Sequence, residues 1–84
     1  MSHHASPAFW EKYHALPRVV QALADKNFAL LKQDQEHPSL HFKRVGNYLS
    51  ARVGLSHRVI GLAVSDGILW FWIGSHADYD RIVG

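Results

Sequence analysis

Cysteine is absent from this chain of 84 residues. Neither a disulfide framework nor a thiolate zinc site can form, and the absence fits a reducing compartment. No apolar run approaches the roughly 20 residues that cross a bilayer as a helix. The first residues have neither the basic nor the apolar region of a signal peptide. We therefore expect a soluble cytoplasmic protein with no membrane partner.

Acidic residues are missing from the middle of the chain, between Glu36 and Asp66. Residues 41–60 hold four Lys or Arg residues and no acid, whereas residues 1–40 hold four of each and residues 61–84 hold one base and three acids. The net charge of +2 is thus concentrated in one segment. Because a surface of one sign attracts phosphate-bearing partners, a polyanion is the first ligand that the sequence suggests.

Histidine is abundant, with seven residues, but its spacing does not indicate a metal site. The chain has no HExxH pair and no Cys/His pattern typical of zinc ligands. His3 and His4 lie in a segment that we expect to be a mobile tail. We therefore predict no metal and no other cofactor.

The first half of the chain has helical periodicity within a single domain spanning residues 1–84. Ser6 is typical of a helix N-cap, and the proline after it suits the first helical turn. Pro17 ends this helix and begins a second, which Pro38 closes near residues 32–35. We expect the two helices to form an antiparallel hairpin.

After Pro38 the apolar period becomes two, which is typical of strands. The predicted strands cover residues 40–44, 48–53, 57–65 and 68–74, and residues 77–83 form a short terminal helix. Helices followed by hairpin-connected strands predict an α+β fold. In this fold the N-terminal helix hairpin packs on a small antiparallel sheet.

The turns predict a strand register. A two-residue turn at Asp66-Gly67 places His57 opposite His76. A three-residue turn before His57 places Arg52 opposite Arg58. Like charges that face each other on a sheet are destabilising, so a bound anion is the favoured reason for the arginine pair. Alternation puts the two pairs on opposite faces at the same sheet end, and one bulge would bring them together.

Several short segments have an order and spacing that occur together in one protein family. They are Phe9–Pro17, His37–Leu40, Ser50–Gly54, His57–Ile60 and Trp70–Tyr79. In this order, over nearly its whole length, the chain resembles the RelE/ParE superfamily of toxins from bacterial type II toxin–antitoxin systems. The resemblance implies a microRNase-like fold of two helices on a small sheet. It also implies an antitoxin partner that masks the toxic surface.

The resemblance implies two possible targets. RelE-like members cut messenger RNA without a metal, commonly on the ribosome, whereas ParE-like members poison DNA gyrase. By resemblance to the RNA-cutting branch, Arg58 contacts the scissile phosphate, His76 assists proton transfer or charge stabilisation, and Tyr79 matches a C-terminal tyrosine. Arg52 matches a basic position on the preceding strand. The chain departs from RelE itself where Ser50 and its neighbour replace lysines, and there it is closer to histidine-using relatives.

Metal-free RNA cleavage needs a base for the 2′-OH, cations for the phosphorane and an acid for the leaving 5′-oxygen. Arginine suits the second task because its planar fork binds two phosphate oxygens. Histidine suits proton transfer, since its ordinary pKa is about 6.5. We predict that Arg58 and Arg52 clamp phosphate, that His76 is acid or base, and that Tyr79 orients or stacks.

Other interpretations of the same residues stay open. His76 could cap the last helix, Tyr79 could pack it, and the arginines could pair with nearby acids or water. The remaining predicted RNA-binding residues are Lys43, Arg44 and His57. A RelE-like endoribonuclease that cuts mRNA, with the ribosome as a further partner, is the favoured function; a gyrase-binding ParE-like toxin or an inactive member of the family is the alternative.

Overall fold

The structure, a computed structural model, describes residues 2–83 as an α+β protein with three helices and a five-stranded mixed sheet. The elements are β1 (Ser2–Ala5), α1 (Pro7–His14), α2 (Arg18–Gln33), a 3-10 turn (Pro38–Leu40), β2 (Lys43–Val45), β3 (Tyr48–Val53), β4 (His57–Val64), β5 (Gly67–Ser75) and α3 (His76–Val83). The spatial order of the strands is β1-β5-β4-β3-β2. The predicted α+β class is confirmed.

The N-terminal segment forms β1, so the expectation of a mobile tail is wrong. This strand runs parallel to β5, which makes the sheet mixed rather than purely antiparallel. Gly67 permits the close approach, because a Cβ there would overlap the backbone of Ser2. The Trp70 Nε1–H group donates a hydrogen bond to His3 Nδ1 at 3.1 Å. A strand therefore precedes the two helices and is tied to the far end of the chain.

Local signals set the bounds of the helices as the sequence predicts. The Ser6 hydroxyl accepts a hydrogen bond from the backbone N–H of Phe9 at 3.2 Å, and α1 begins with the proline after the cap. Pro17 separates α1 from α2. The Tyr13 hydroxyl donates to the Asp25 carboxylate of α2 at 2.8 Å. Within residues 2–83, no helix has both the length and the apolar composition needed to span a membrane.

Both faces of the sheet bury apolar side chains. Trp70 and Ile73 lie on the face covered by α1 and α2, and Trp72 and Ile60 lie on the face covered by α3. A register shift between the Ile60 and Gly61 pairs moves Trp72 to the face opposite Trp70. Both tryptophans are buried, so this strand contributes to the core on both faces. The sheet is thus the middle layer of the molecule.

Two details of the predicted strands are wrong. Gly67 pairs with Val64, so the turn consists of the two residues before Gly67 and the partner of each nearby β4 residue moves by two positions. The register shift between Ile60 and Gly61 reduces this difference to one position at His57. His57 consequently lies opposite Ser75 and not opposite His76. Leu40 belongs to the 3-10 turn, and β2 begins at Lys43. The three-residue turn between β3 and β4 is confirmed, and with it the pairing of the two arginines.

Candidate functional site

Arg52 of β3 and Arg58 of β4 lie directly opposite each other at one end of the sheet. Alternation places both side chains on the α3 face, because Val53 packs towards α2 and Ile60 packs against Tyr79. Neighbouring strands are only about 4.8 Å apart, so two positive charges are held close together. Both side chains are half-buried.

The electrostatics of this pair favour an anion. Burial lowers the pKa of Arg58, the charge of Arg52 lowers it further, and Tyr79 and Asp80 act in the opposite direction. The arginine side chain is positively charged at neutral pH. Arg52 Nε is buried and has no hydrogen-bond partner among the described residues. An anion between the strands would relieve the repulsion and supply acceptors.

Tyr79 of α3 supports Arg58 from the protein interior. Its ring centre is 5.8 Å from the guanidinium carbon of Arg58, which is within the range of a cation–π contact. Its hydroxyl donates a hydrogen bond to Ser50 Oγ at 3.0 Å, and both residues are buried, with 6% and 1% exposure. The small hydroxyl of Ser50 thus occupies a space that a lysine side chain could not share with Tyr79.

His76, the first residue of α3, is the exposed member of the cluster. Its side chain is 50% exposed, and its Nε2 lies 3.4 Å from Asp80 Oδ1, one helical turn along. Its ring centre is 6.4 Å from that of Tyr79. The backbone N–H of His76 donates to the carbonyl of Ser56 at 2.8 Å, which ties α3 to the β3–β4 turn. The imidazole is therefore oriented by a carboxylate and open to solvent.

The contacts around α3 do not support a helix-capping role for His76 or ion pairing of the two arginines. Ser75, not His76, caps α3, because its hydroxyl accepts from the backbone N–H of Asp78 at 3.2 Å. Asp78 pairs with Arg81 at 3.0 Å. Within residues 2–83, neither Arg52 nor Arg58 forms an ion pair.

The remaining predicted RNA-binding residues divide between the two faces. Lys43 pairs with Ser50 on the neighbouring strand and so shares the α3 face with the arginines. Arg44 pairs with Leu49 and belongs to the other face. His57 also lies on the face covered by α1 and α2, and its Nδ1 is 2.9 Å from the hydroxyl of the preceding serine. The structure thus brings together four predicted site residues and Lys43, but not Arg44 and His57.

Two partners in the cluster were not predicted in these roles. The i,i+4 spacing of His76 and Asp80 in a predicted helix is a signal that could have identified the pair. The Ser50–Tyr79 bond has no such signal, because it joins residues 29 positions apart. Within residues 2–83, no group of three or more His, Asp or Glu residues is placed to hold a metal.

Comparison of the chain with protein-family models, with curated proteins and with solved structures finds no match.

Proposed function

We propose that this chain is a toxin of the RelE/ParE type from a bacterial type II toxin–antitoxin system, and that it is an endoribonuclease cutting messenger RNA without a metal. The observation that carries the proposal is the opposed pair Arg52 and Arg58, which forms no ion pair within residues 2–83 and lies near the exposed His76, whose Nε2 is 3.4 Å from Asp80. Two arginines facing each other on a sheet repel one another, and an anion bound between them would offset that repulsion. In this proposal the two N-terminal helices form the hairpin of the microRNase-like fold.

The reaction that these groups can support is attack of a ribose 2′-oxygen on the adjacent phosphorus. A base takes the 2′-OH proton, the new P–O2′ bond forms, and the P–O5′ bond breaks. The leaving 5′-oxygen takes up a proton, which gives a 2′,3′-cyclic phosphate and a 5′-hydroxyl. The phosphorane, in which phosphorus has five oxygen neighbours, concentrates negative charge on its non-bridging oxygens. Arg52 and Arg58 stabilise that charge, and each is able to donate two hydrogen bonds to phosphate oxygens.

His76 transfers the proton in this proposal. Asp80 Oδ1 lies 3.4 Å from Nε2, and in this proposal Nδ1, on the other side of the ring, exchanges the proton. The exposure of the side chain gives the RNA access to it. Tyr79 orients Arg58 through its ring, since its hydroxyl is engaged with Ser50 in the core. Lys43, on the same face, extends the positive row along the RNA backbone.

The proposed partners follow from the same charges. The mRNA lies across the row formed by Lys43, Arg52 and Arg58, with the ribosome presenting it. The cognate antitoxin would cover this face, and an acidic segment would suit it best because the row carries no compensating ion pair within residues 2–83. Arg44 and His57, which belong to the opposite face, are assigned to peripheral RNA contacts.

A second candidate is a ParE-like toxin that binds gyrase and cuts nothing. The replacement of lysines by Ser50 and Ala51 on the middle strand favours it, because the site then offers fewer cations for the phosphorane. In that function the arginine pair would bind an acidic surface of the partner. The two candidates need the same face but different chemistry.

The test is incubation of the purified protein with mRNA, with and without ribosomes. We expect cleavage by the wild-type protein and by Arg18→Ala, a control that removes an exposed arginine of α2. His76→Ala and Arg58→Ala should each lower the rate by about 100-fold or more, as for loss of one transition-state contact. Absence of cleavage, together with gyrase-dependent DNA damage in cells, would support the second candidate. Cleavage that survives both substitutions would contradict the site assignment.

A further inference from the structure

A cavity of about 260 Å³ lies between the two N-terminal helices and the sheet, on the face opposite the arginine pair. It exists because small side chains stand where the layers meet. Ala24 of α2 and Ala51 of β3 form facing walls, and Ala5 of β1 forms a third. Protein cores seldom contain voids larger than a water molecule, so a space of this size is unusual in so short a chain.

The lining of the cavity is mainly apolar and partly aromatic. It includes Phe9, Trp10, Tyr13, Phe28 and Trp70. The rings of α1 contact one another edge-on or stacked, with centres 5.2 to 6.3 Å apart. Trp10 and Phe28 are 47% and 40% exposed. These two large side chains are incompletely buried at the border of an apolar space, which leaves the cavity accessible from solvent.

Several polar groups of the lining already form hydrogen bonds. His3 Nδ1 accepts from Trp70, and burial lowers the pKa of His3, so the ring is neutral. The Asp25 carboxylate accepts from Tyr13 at 2.8 Å. The amide of Asn27 donates to the backbone carbonyl of Arg52 at 3.2 Å, and alternation places the Arg52 guanidinium on the other face. Asp25, the one carboxylate of the lining among residues 2–83, keeps its charge but is exposed, so it lies at the solvent side of the cavity and not in its apolar interior.

We propose that this cavity binds a small, neutral, planar molecule of about two fused aromatic rings. An apolar cavity of about 150 Å³ holds one benzene ring, so about 260 Å³ suits two fused rings. Aromatic walls favour a planar ligand through offset and edge-on contacts. The proposal is independent of RNA cleavage, because the cavity and the arginine pair lie on opposite faces of the sheet.

The test uses phenol, indole and acridine, which have one, two and three rings, titrated into ¹⁵N-labelled full chain and followed by amide chemical shifts. Indole should give a saturable shift centred on Ala24 and Ala51, and acridine should bind at least tenfold more weakly. The variant Ala24→Leu fills the cavity and should weaken indole at least tenfold. The matched control, Ala22→Leu on the exposed side of α2, should bind within twofold of the wild type.

The outcomes separate cleanly. Unsaturable shifts, or indole binding that is equal in the wild type and Ala24→Leu, would overturn the proposal, since contact would then be confined to the exposed aromatic surface. A dispersed amide spectrum shows that the Ala24→Leu protein is folded. If it is not folded, Ala51→Val adds bulk to the opposite wall and must weaken indole in the same way. Retained binding in that variant also overturns the proposal.

Discussion

Replacing Tyr79 with phenylalanine separates two roles that a site tyrosine can have. The substitution keeps the ring whose centre lies 5.8 Å from the Arg58 guanidinium carbon. It removes the hydroxyl that donates to Ser50 Oγ at 3.0 Å. Because that hydroxyl is directed into the core, we expect Tyr79→Phe to lower stability and to leave RNA cleavage nearly intact.

The size of the expected loss of stability follows from the burial of both Tyr79 and Ser50. A buried hydrogen bond contributes about 1 kcal/mol net, and leaving one partner unsatisfied costs about 1–3 kcal/mol. Ser50 is 1% exposed, so water cannot replace the lost donor. We expect the free energy of unfolding to fall by about 2 kcal/mol. For a domain of this size that is a decrease in Tm of roughly 8–16 °C.

Urea unfolding of Tyr79→Phe, Ser50→Ala and the double variant measures the interaction free energy between the two side chains. The double variant should be more stable than the sum of the single effects by about 1 kcal/mol, because it removes both polar groups together. Cleavage by Tyr79→Phe, measured where all the proteins are folded, should stay within about threefold of the wild type. Additive stability effects, or a 100-fold loss of cleavage in a folded variant, would refute this account of Tyr79.

Three further predictions concern the rest of the molecule. Arg58→Gln should leave the free energy of unfolding unchanged or raise it by up to about 1 kcal/mol, since it removes a like-charge pair with Arg52. The same substitution should weaken binding of a non-cleavable 2′-deoxy RNA. A clear loss of stability would contradict this expectation. Burial lowers the pKa of His3, so the neutral ring should contribute its full stabilisation above pH about 6.5. The free energy of unfolding should decrease as the pH is lowered from there, because the unfolded chain takes up the proton first. His3→Gln should flatten that dependence in urea titrations between pH 5 and 8, and an unchanged slope would count against it. Gly67→Ala should detach β1 and increase amide exchange in that strand, because the added Cβ overlaps the backbone of Ser2; full protection of β1 would show that the pairing tolerates a side chain.

Local patterns were sufficient for much of the fold. The bounds of β3 match the predicted residues 48–53, because turn residues flank a clearly alternating segment. The prolines at 7, 17 and 38 mark helix starts or breaks, since a missing N–H and a fixed φ act within a few residues. The short turn between β3 and β4 fixed the register that opposes the two arginines.

The features that sequence reasoning missed depend on distant contacts. Strand β1 has four residues, two of them histidines, and its partner lies more than 60 positions away, so nothing local indicates it. The pairing of His57 with His76 failed because Gly67 is a strand residue and not part of the turn. The Ser50–Tyr79 bond depends on how α3 packs across the sheet, which the sequence does not specify.

The most direct test of the arginine pair is cleavage of a defined RNA in EDTA, with analysis of the new ends. We expect the wild-type protein, with ribosomes where they are needed, to leave a 2′,3′-cyclic phosphate, or the 3′-phosphate from its hydrolysis, next to a 5′-hydroxyl. Arg52→Ala and Arg58→Ala should each lower the rate at which this product forms by about 100-fold or more, while Arg18→Ala should not. Cleavage that requires a divalent cation, or that continues when Arg52 and Arg58 are both replaced, would contradict metal-free cleavage by the arginine pair.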